Sequence, residues 1–258
     1  TVEANNEAIR AIEKCSFVDT IYLTRMESTE QAFDIPSISL RKRRIAEDTL
    51  PDAPPPVASI EQLDQLNLLP LHQAGYKGQG IRIGIADGGF YNANSMTALP
   101  KEQWLGYADF TDDEDDFFGS TGNHGTLCLT AIIAEVPDYQ GTATEAEYFL
   151  FRTEEHYSES PKEIDNWVAA IEMADSLGLD IVSTSLGYTT FDNEHFDFTY
   201  ADMDGRCSRG AQTATIAARK GMLLIMAAGN EGNNEWHHLS TPADADSILT
   251  VGAVDIDG

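Results

Sequence analysis

The chain has 258 residues, 42% of them hydrophobic, which suits one large α/β domain or two small ones with a sizeable core. With 16 Lys and Arg against 43 Asp and Glu its net charge is −27, a surface that repels phosphate backbones and argues against nucleic-acid binding. No apolar run approaches the ~20 residues of a membrane-spanning helix, and Cys15, Cys128 and Cys207 are too far apart for a disulfide framework or a zinc ligand set.

Residues 1–33 predict a helix and then a strand. NEAIRAIEKC places Ile9 and Ile12 at helical spacing, and SFVDTIYLTR alternates apolar with polar. Residues 34–58 predict a linker, with a basic cluster from Arg41 to Arg44 and the run PDAPPP, which favours extended polyproline geometry. The basic cluster fits either a processing site or a solvated linker turn, and the turn is the favoured reading.

From Ser59 onward the pattern is regular. SIEQLDQLNLLPLHQAG predicts short helices, IRIGIA a strand, GNHGTLCLTAIIAE the start of a helix and AEYFLFRTE a strand. SPKEIDNWVAAIEMADSLG predicts a helix with Ser160 as N-cap, Pro161 in the first turn, Glu163 closing a capping box and Gly178 past the end. LDIVSTS and MLLIMAAG predict strands, CSRGAQTATIAARKG a helix ended by Gly221, and SILTVGAVD a last strand. Strands and helices alternate, and the strands are nearly continuous apolar runs. That pattern predicts a mostly parallel sheet covered by helices on both faces.

Sites in open parallel sheets form beyond the carboxyl ends of the strands. Asp87 stands there, followed by two glycines; so do Ser185, Leu186 and Gly187, and so do Gly229 and Asn230. His124, flanked by Gly122 and Gly125, opens a helix. A carboxylate that receives a histidine fixes its tautomer and stabilises the imidazolium, and an amide beside a glycine turn can donate to a developing oxyanion. Each feature alone is commonly structural, as a turn former, a surface histidine or a turn pair. Their joint appearance in this order is what carries the reading.

These segments resemble the subtilisin-like serine proteases, or subtilases, from about Leu71 to Gly258. KGQGIRIGIADGGF resembles the segment of the catalytic aspartate, here Asp87, and NHGTLCLTAIIA that of the catalytic histidine, here His124. DIVSTSLGY resembles the strand backing the substrate cleft, with Ser185, Leu186 and Gly187 as substrate-binding residues. LLIMAAGNEGN resembles the oxyanion segment, with Asn230 as donor and Gly229 beside it as a further substrate-binding residue. The resemblance implies a three-layer α/β fold and a serine endopeptidase with an Asp-His-Ser triad. No Gly-Thr-Ser occurs in the chain, so the expectation is a catalytic domain, residues 59–258, whose nucleophile and nucleophile helix lie beyond the C-terminus. This piece alone is then expected to be inactive.

The resemblance further implies that residues 1–33 are a prosegment remnant acting as the chain's own inhibitor. It implies a peptide or protein as substrate, secretion or cell-surface display, and no required cofactor. Structural calcium is compatible with it, and TDDEDDFF (111–118) offers oxygen donors. His237 and His238 do not suggest a metal site. Cys128, one turn along from His124, is expected to be a small packing residue. The alternative function is a non-catalytic peptide-binding module or pseudoprotease that keeps the cleft. A nucleotide-binding domain is disfavoured, because neither G-x-G-x-x-G nor G-x-x-x-x-G-K-[ST] is present.

Overall fold

The computed structural model describes Arg10 and residues 59–111, 116–119 and 122–255. The proposed prosegment and linker boundaries, and residues 112–115 of the acidic run, therefore fall outside the described residues.

Two short helices, α1 (Ile60–Gln65) and α2 (Leu69–Gln73), lead into β1 (Arg82–Asp87) and β2 (Trp104–Asp109). Helix α3 (His124–Ile133) follows, then a small hairpin of β3 (Glu135–Val136) and β4 (Tyr139–Gln140). The rest alternates: β5 (Glu147–Arg152), α4 (Pro161–Leu177), β6 (Ile181–Thr184), α5 (Arg209–Arg219), β7 (Leu223–Ala227) and β8 (Leu249–Val251). Six strands form one sheet in the order β2-β5-β1-β6-β7-β8, with every neighbouring pair parallel.

The period-2 alternation of the strands separates two cores. Ile83, Ile85, Tyr148 and Leu150 pack with Leu129 and Ile133 of α3 on one face. Phe149, Phe151, Val182, Leu224 and Met226 pack with Trp167 and Ala170 of α4 and Ala214 of α5 on the other. The result is the expected helix–sheet–helix sandwich. Trp167 is fully buried and donates its indole N–H to Thr184 Oγ1 at 3.1 Å, so a large polar-tipped side chain is satisfied within the core.

The local signals of α4 hold. Glu163 Oε2 accepts from the Ser160 N–H at 2.9 Å, and Gly178 closes the helix at φ 67°, a left-handed conformation that favours glycine. Two elements go beyond the sequence reading, the edge strand β2 and the hairpin β3–β4. In β2 the register shifts between Trp104 and Gly106, and only one of its six residues is buried. Both features blur the alternation that marks a strand. Among the described residues no helix is long and apolar enough to cross a membrane.

Candidate active site

Strand β1 is central, and its last residue is Asp87. β6 pairs with β1 and β7 with β6, all in parallel, so Asp87, the segment 185–187 and the pair Gly229–Asn230 follow strand ends at one edge of the sheet. Helix α3 begins over the same edge with His124.

Asp87 is fully buried, whereas the His124 side chain is 61% exposed. His124 Nδ1 lies 2.8 Å from Oδ1 and 3.0 Å from Oδ2 of Asp87, and Gly88 N–H donates to Oδ1 at 2.8 Å. A carboxylate has no proton to give, so Nδ1 carries the hydrogen and Nε2 is left with its lone pair. The arrangement is a base aimed outward and oriented from behind. Burial pushes the Asp87 pKa above its usual range, opposed by the hydrogen bond and charge of His124 and by the Gly88 N–H.

Close approach of α3 to β1 depends on Gly125. A Cβ there would meet Gly89 O at 2.7 Å, and Asp87 Cβ and Phe90 Cε1 at 2.8 Å each. Two of those atoms are backbone or buried ring and cannot give way. Gly125→Ala is therefore expected to push His124 off Asp87 and to lower the melting temperature, because the clash falls on atoms that cannot move. A melting curve and the histidine NMR spectrum, in which the hydrogen-bonded His124 Nδ1–H signal should be lost, check this.

Gly187 and Gly229 serve a similar purpose. A Cβ on Gly187 would run into Ser240 Oγ, and one on Gly229 would come within 2.9 Å of the same atom. The segment 240–241 is thus wedged between the ends of β6 and β7, with Tyr188 N–H donating to Thr241 O at 2.8 Å and Ser240 N–H to Ala228 O at 3.2 Å. Ser185 and Leu186 are half-buried and Gly187 is exposed, so the segment presents backbone to solvent. Asn230 is exposed at the same edge, and its side chain makes no capping bond to the short 3₁₀ turn it opens (Glu231–Asn233).

The family model described as the subtilase family matches residues 78–257. The chain belongs to the subtilase family. It is 29% identical over 187 residues to subtilisin DY of Bacillus licheniformis, covering 70% of this chain and 59% of that protein. It is 26% identical over 219 residues to the major intracellular serine protease of Bacillus subtilis, covering 78% and 62%. This subtilase thus spans about three fifths of the length of the curated relatives it matches. Among solved structures it is similar to the serine protease MycP1, an essential component of the type VII (ESX-1) secretion system. The TM-score is 0.55 at 20% identity, covering 81% of this chain and 62% of that one. At that identity the likeness shows the fold.

The subtilase site holds groups that reading the sequence misses. Glu154, two residues past β5, packs against the Asp87 turn: its Cβ and Cγ are 3.4 Å from where a Cβ on Gly88 would be. Glu154 Oε1 accepts from Tyr188 Oη–H at 2.6 Å and from Thr153 Oγ1–H at 3.0 Å. Burial raises its pKa to about 8, with the charges of Glu159 and Asp87 adding to the effect and the two hydroxyls opposing it.

Cys128 is half-buried, with Sγ 3.9 Å from His124 Nδ1. Burial and the Asp87 charge push its thiol up to about 11, so it stays protonated and is no nucleophile at neutral pH. Two groups among the described residues have ligand atoms close enough to share an ion: Asp87, His124 and Cys128, and the carboxylates Glu154, Glu159 and Glu163. His237 and His238 do not converge on one point. The first donates from Nδ1 to Gly232 O, 2.9 Å away, and the second stacks on Tyr200. A cavity of about 600 Å³ lies at the amino ends of β2 and β5, lined by residues such as Leu99, Gln103 and Thr144, away from Asp87 and His124.

Proposed function

We propose that this subtilase is a serine endopeptidase that hydrolyses peptide bonds through an Asp-His-Ser triad. The observation that carries the reading is the buried Asp87 bonded at 2.8 Å to an outward-facing His124. In the proposed mechanism Asp87 orients His124 and stabilises its protonated form, as a triad aspartate does. His124 Nε2 takes the proton of a serine hydroxyl as that oxygen attacks the peptide carbonyl, then returns it to the leaving amine. The serine comes from sequence beyond residue 258.

Asn230 donates to the oxyanion of the tetrahedral intermediate. The substrate lies extended along Ser185, Leu186 and Gly187, pairing backbone to backbone as an added strand, with Gly229 closing the other side. Residues 1–33 act as an inhibitory prosegment in this reading. Secretion or cell-surface display completes it; the chemistry requires no cofactor, and structural calcium is compatible with it.

The test uses the full-length natural protein freed of residues before Ser59. Release of label from casein and stoichiometric labelling by a fluorophosphonate, which reacts with an activated serine, are both expected. A folded full-length protein that binds casein but neither cleaves it nor takes up the fluorophosphonate overturns the enzyme reading in favour of a peptide-binding module.

A further inference from the structure

Arg152 ends β5 and is fully buried, a guanidinium taken out of water at the sheet edge that carries Asp87 and His124. Parallel pairing sets Asp109, Arg152 and Asp87 side by side at the ends of β2, β5 and β1. Residues paired laterally project to the same face of a sheet. Counting on by twos from Ile83 and Ile85, which pack with α3, puts all three on the α3 face. Arg152 therefore lies under the connection that leaves β2 and delivers His124.

Its contacts hold that connection. Arg152 Nη2 is 2.5 Å from Asp109 Oδ2. The other carboxylate oxygen, Oδ1, accepts from the Thr111 N–H at 3.1 Å and from the Thr111 hydroxyl at 2.8 Å. Phe110 N–H donates to Arg152 O at 2.9 Å. Further along, the buried Phe117 ring stands over the guanidinium, 6.0 Å from Cζ to the ring centroid. Phe117 also stacks on Phe90 at 5.4 Å, the planes 8° apart, and both rings share a core with Leu129 of α3.

Phe90 belongs to the segment that follows Asp87, and that segment is laced to the chain on both sides of His124. Ahead of the histidine, Asn92 N–H donates to Phe118 O at 3.2 Å and Tyr91 N–H to Gly122 O at 2.9 Å. Behind it, the Thr126 hydroxyl donates to Tyr91 O at 2.9 Å. Thr153 N–H, next to Arg152, donates to Asp87 O at 3.2 Å. Such tertiary ties matter because the start of α3 has no side-chain cap: Asn123 makes no capping bond. His124 is the first residue of that helix. With its side chain mostly exposed, the ring is placed by the backbone beneath it and by Asp87.

We propose that the Arg152–Asp109 pair positions His124: it fixes the connection from β2 and the Phe117–Phe90 stack against α3, and so sets where the imidazole meets Asp87. The proposal rests on the reading of Asp87 and His124 as the catalytic pair. The energetics favour placement over stability as the role. A guanidinium gives up strong hydration on burial, and attraction to its partners only about offsets that loss, so an apolar side chain of similar size commonly serves a fold as well. What the apolar side chain lacks is direction, because it has no planar fork of donors to fix a carboxylate.

The experiment compares the full-length protein with its variants Arg152→Met, Arg152→Lys and the double variant Arg152→Met with Asp109→Asn. Each is read by steady-state hydrolysis of a labelled casein peptide, by a melting curve, and by the NMR signal of the His124 Nδ1–H bonded to Asp87. Arg152→Met is expected to lower kcat about tenfold, a displacement of His124 by part of an ångström, with KM within about twofold of wild type. The Nδ1–H signal is expected to shift or broaden. This variant also strips Asp109 of a charged partner, so its melting temperature is expected to fall. In the double variant neither charge remains, and the asparagine oxygen still accepts from Thr111. Its melting temperature is expected to return to that of wild type while kcat stays about tenfold down. Arg152→Lys keeps one charged donor and is expected to lose less of kcat than Arg152→Met.

A folded Arg152→Met protein with wild-type kcat and an unchanged Nδ1–H signal overturns the proposal. A double variant that regains kcat together with its melting temperature overturns it too, since the pair is then a stabilising contact and nothing more. So does a loss that falls on KM and spares kcat. The Nδ1–H signal keeps this test apart from the protease reading. A wild-type protein that neither hydrolyses peptide nor takes up a fluorophosphonate sinks that reading, while a disturbed signal in the folded double variant still upholds the placement of His124 by Arg152.

Discussion

Replacing His124 by Ala in the full-length protein is expected to lower kcat for peptide hydrolysis by about 10⁶-fold, a magnitude established for subtilisin itself. The expectation follows from the division of labour at the site. His124 Nε2 is the one ring nitrogen left with a lone pair once Nδ1 is committed to Asp87. Of the two titratable neighbours described beside it, Cys128 is held protonated with its thiol near 11, and Glu154 accepts from Tyr188. Without a base the serine hydroxyl remains a poor nucleophile, and the residual rate comes from oxyanion donation and binding alone. Single-turnover hydrolysis of a labelled peptide checks it. A loss of only a few fold would mean that another group accepts the proton and that the outward-facing imidazole is incidental. Fold integrity is not in question for this variant, because the side chain is 61% exposed and α3 keeps its buried face of Leu129 and Ile133.

Why the Asp87–His124 pair is legible in sequence, and Glu154 is not, comes down to range. Ser160, Pro161, Glu163 and Gly178 announce α4 because capping is a contact within one turn of helix. Asp87 and His124 stand out because each ends or opens an element, flanked by glycines, in segments that resemble a family pattern. The placement of Glu154 depends on β5 lying beside β1 and on Tyr188 reaching across from the end of β6. Nothing in FLFRTEEHY states which strand is its neighbour, so a carboxylate just past that strand reads as a solvated loop. Ser240 is hidden for the same reason. It is a small residue in a loop until the sheet brings Gly187 and Gly229 against it. The fold class, by contrast, follows from the alternation of apolar strands and amphipathic helices, which is a local property repeated along the chain. Strand β2 escapes because its chain irregularity at Gly106 and its half-exposed edge position remove the clean period of two.

Asp87→Asn is expected to cut activity and raise stability together. Both Asp87 oxygens face donors, Oδ1 the Gly88 N–H and His124 Nδ1, Oδ2 the same Nδ1 at 3.0 Å. An asparagine must turn its NH₂ toward one of them. Directed at Gly88, it sets donor against donor on a backbone that cannot move. Directed at His124, it forces the imidazole into the tautomer with the hydrogen on Nε2, which cannot accept a proton from serine. The expected loss in kcat is about 10⁴-fold, as in other serine proteases.

The stability effect has the opposite sign. The folded pKa of Asp87 is raised, chiefly by burial, above the ordinary 3.8. Its favourable contribution is therefore present only below that ordinary value and disappears as pH rises through the folded one. At neutral pH the ionised, fully buried carboxylate is a net cost, and a neutral isostere removes it. The melting temperature at pH 7 is expected to rise by a few degrees, and the gain over wild type to vanish as pH is lowered below about 4. Both halves are measurable, the first by kinetics on the full-length protein and the second by melting curves at a series of pH values. A variant that is inactive and also less stable at pH 7 would mean that the His124 bond outweighs desolvation and that Asp87 holds the fold together. A variant that is more stable and still active would mean that the tautomer of His124 is set by something other than Asp87. Activity lost while stability is gained identifies a carboxylate kept in an unfavourable place for what it does to its histidine.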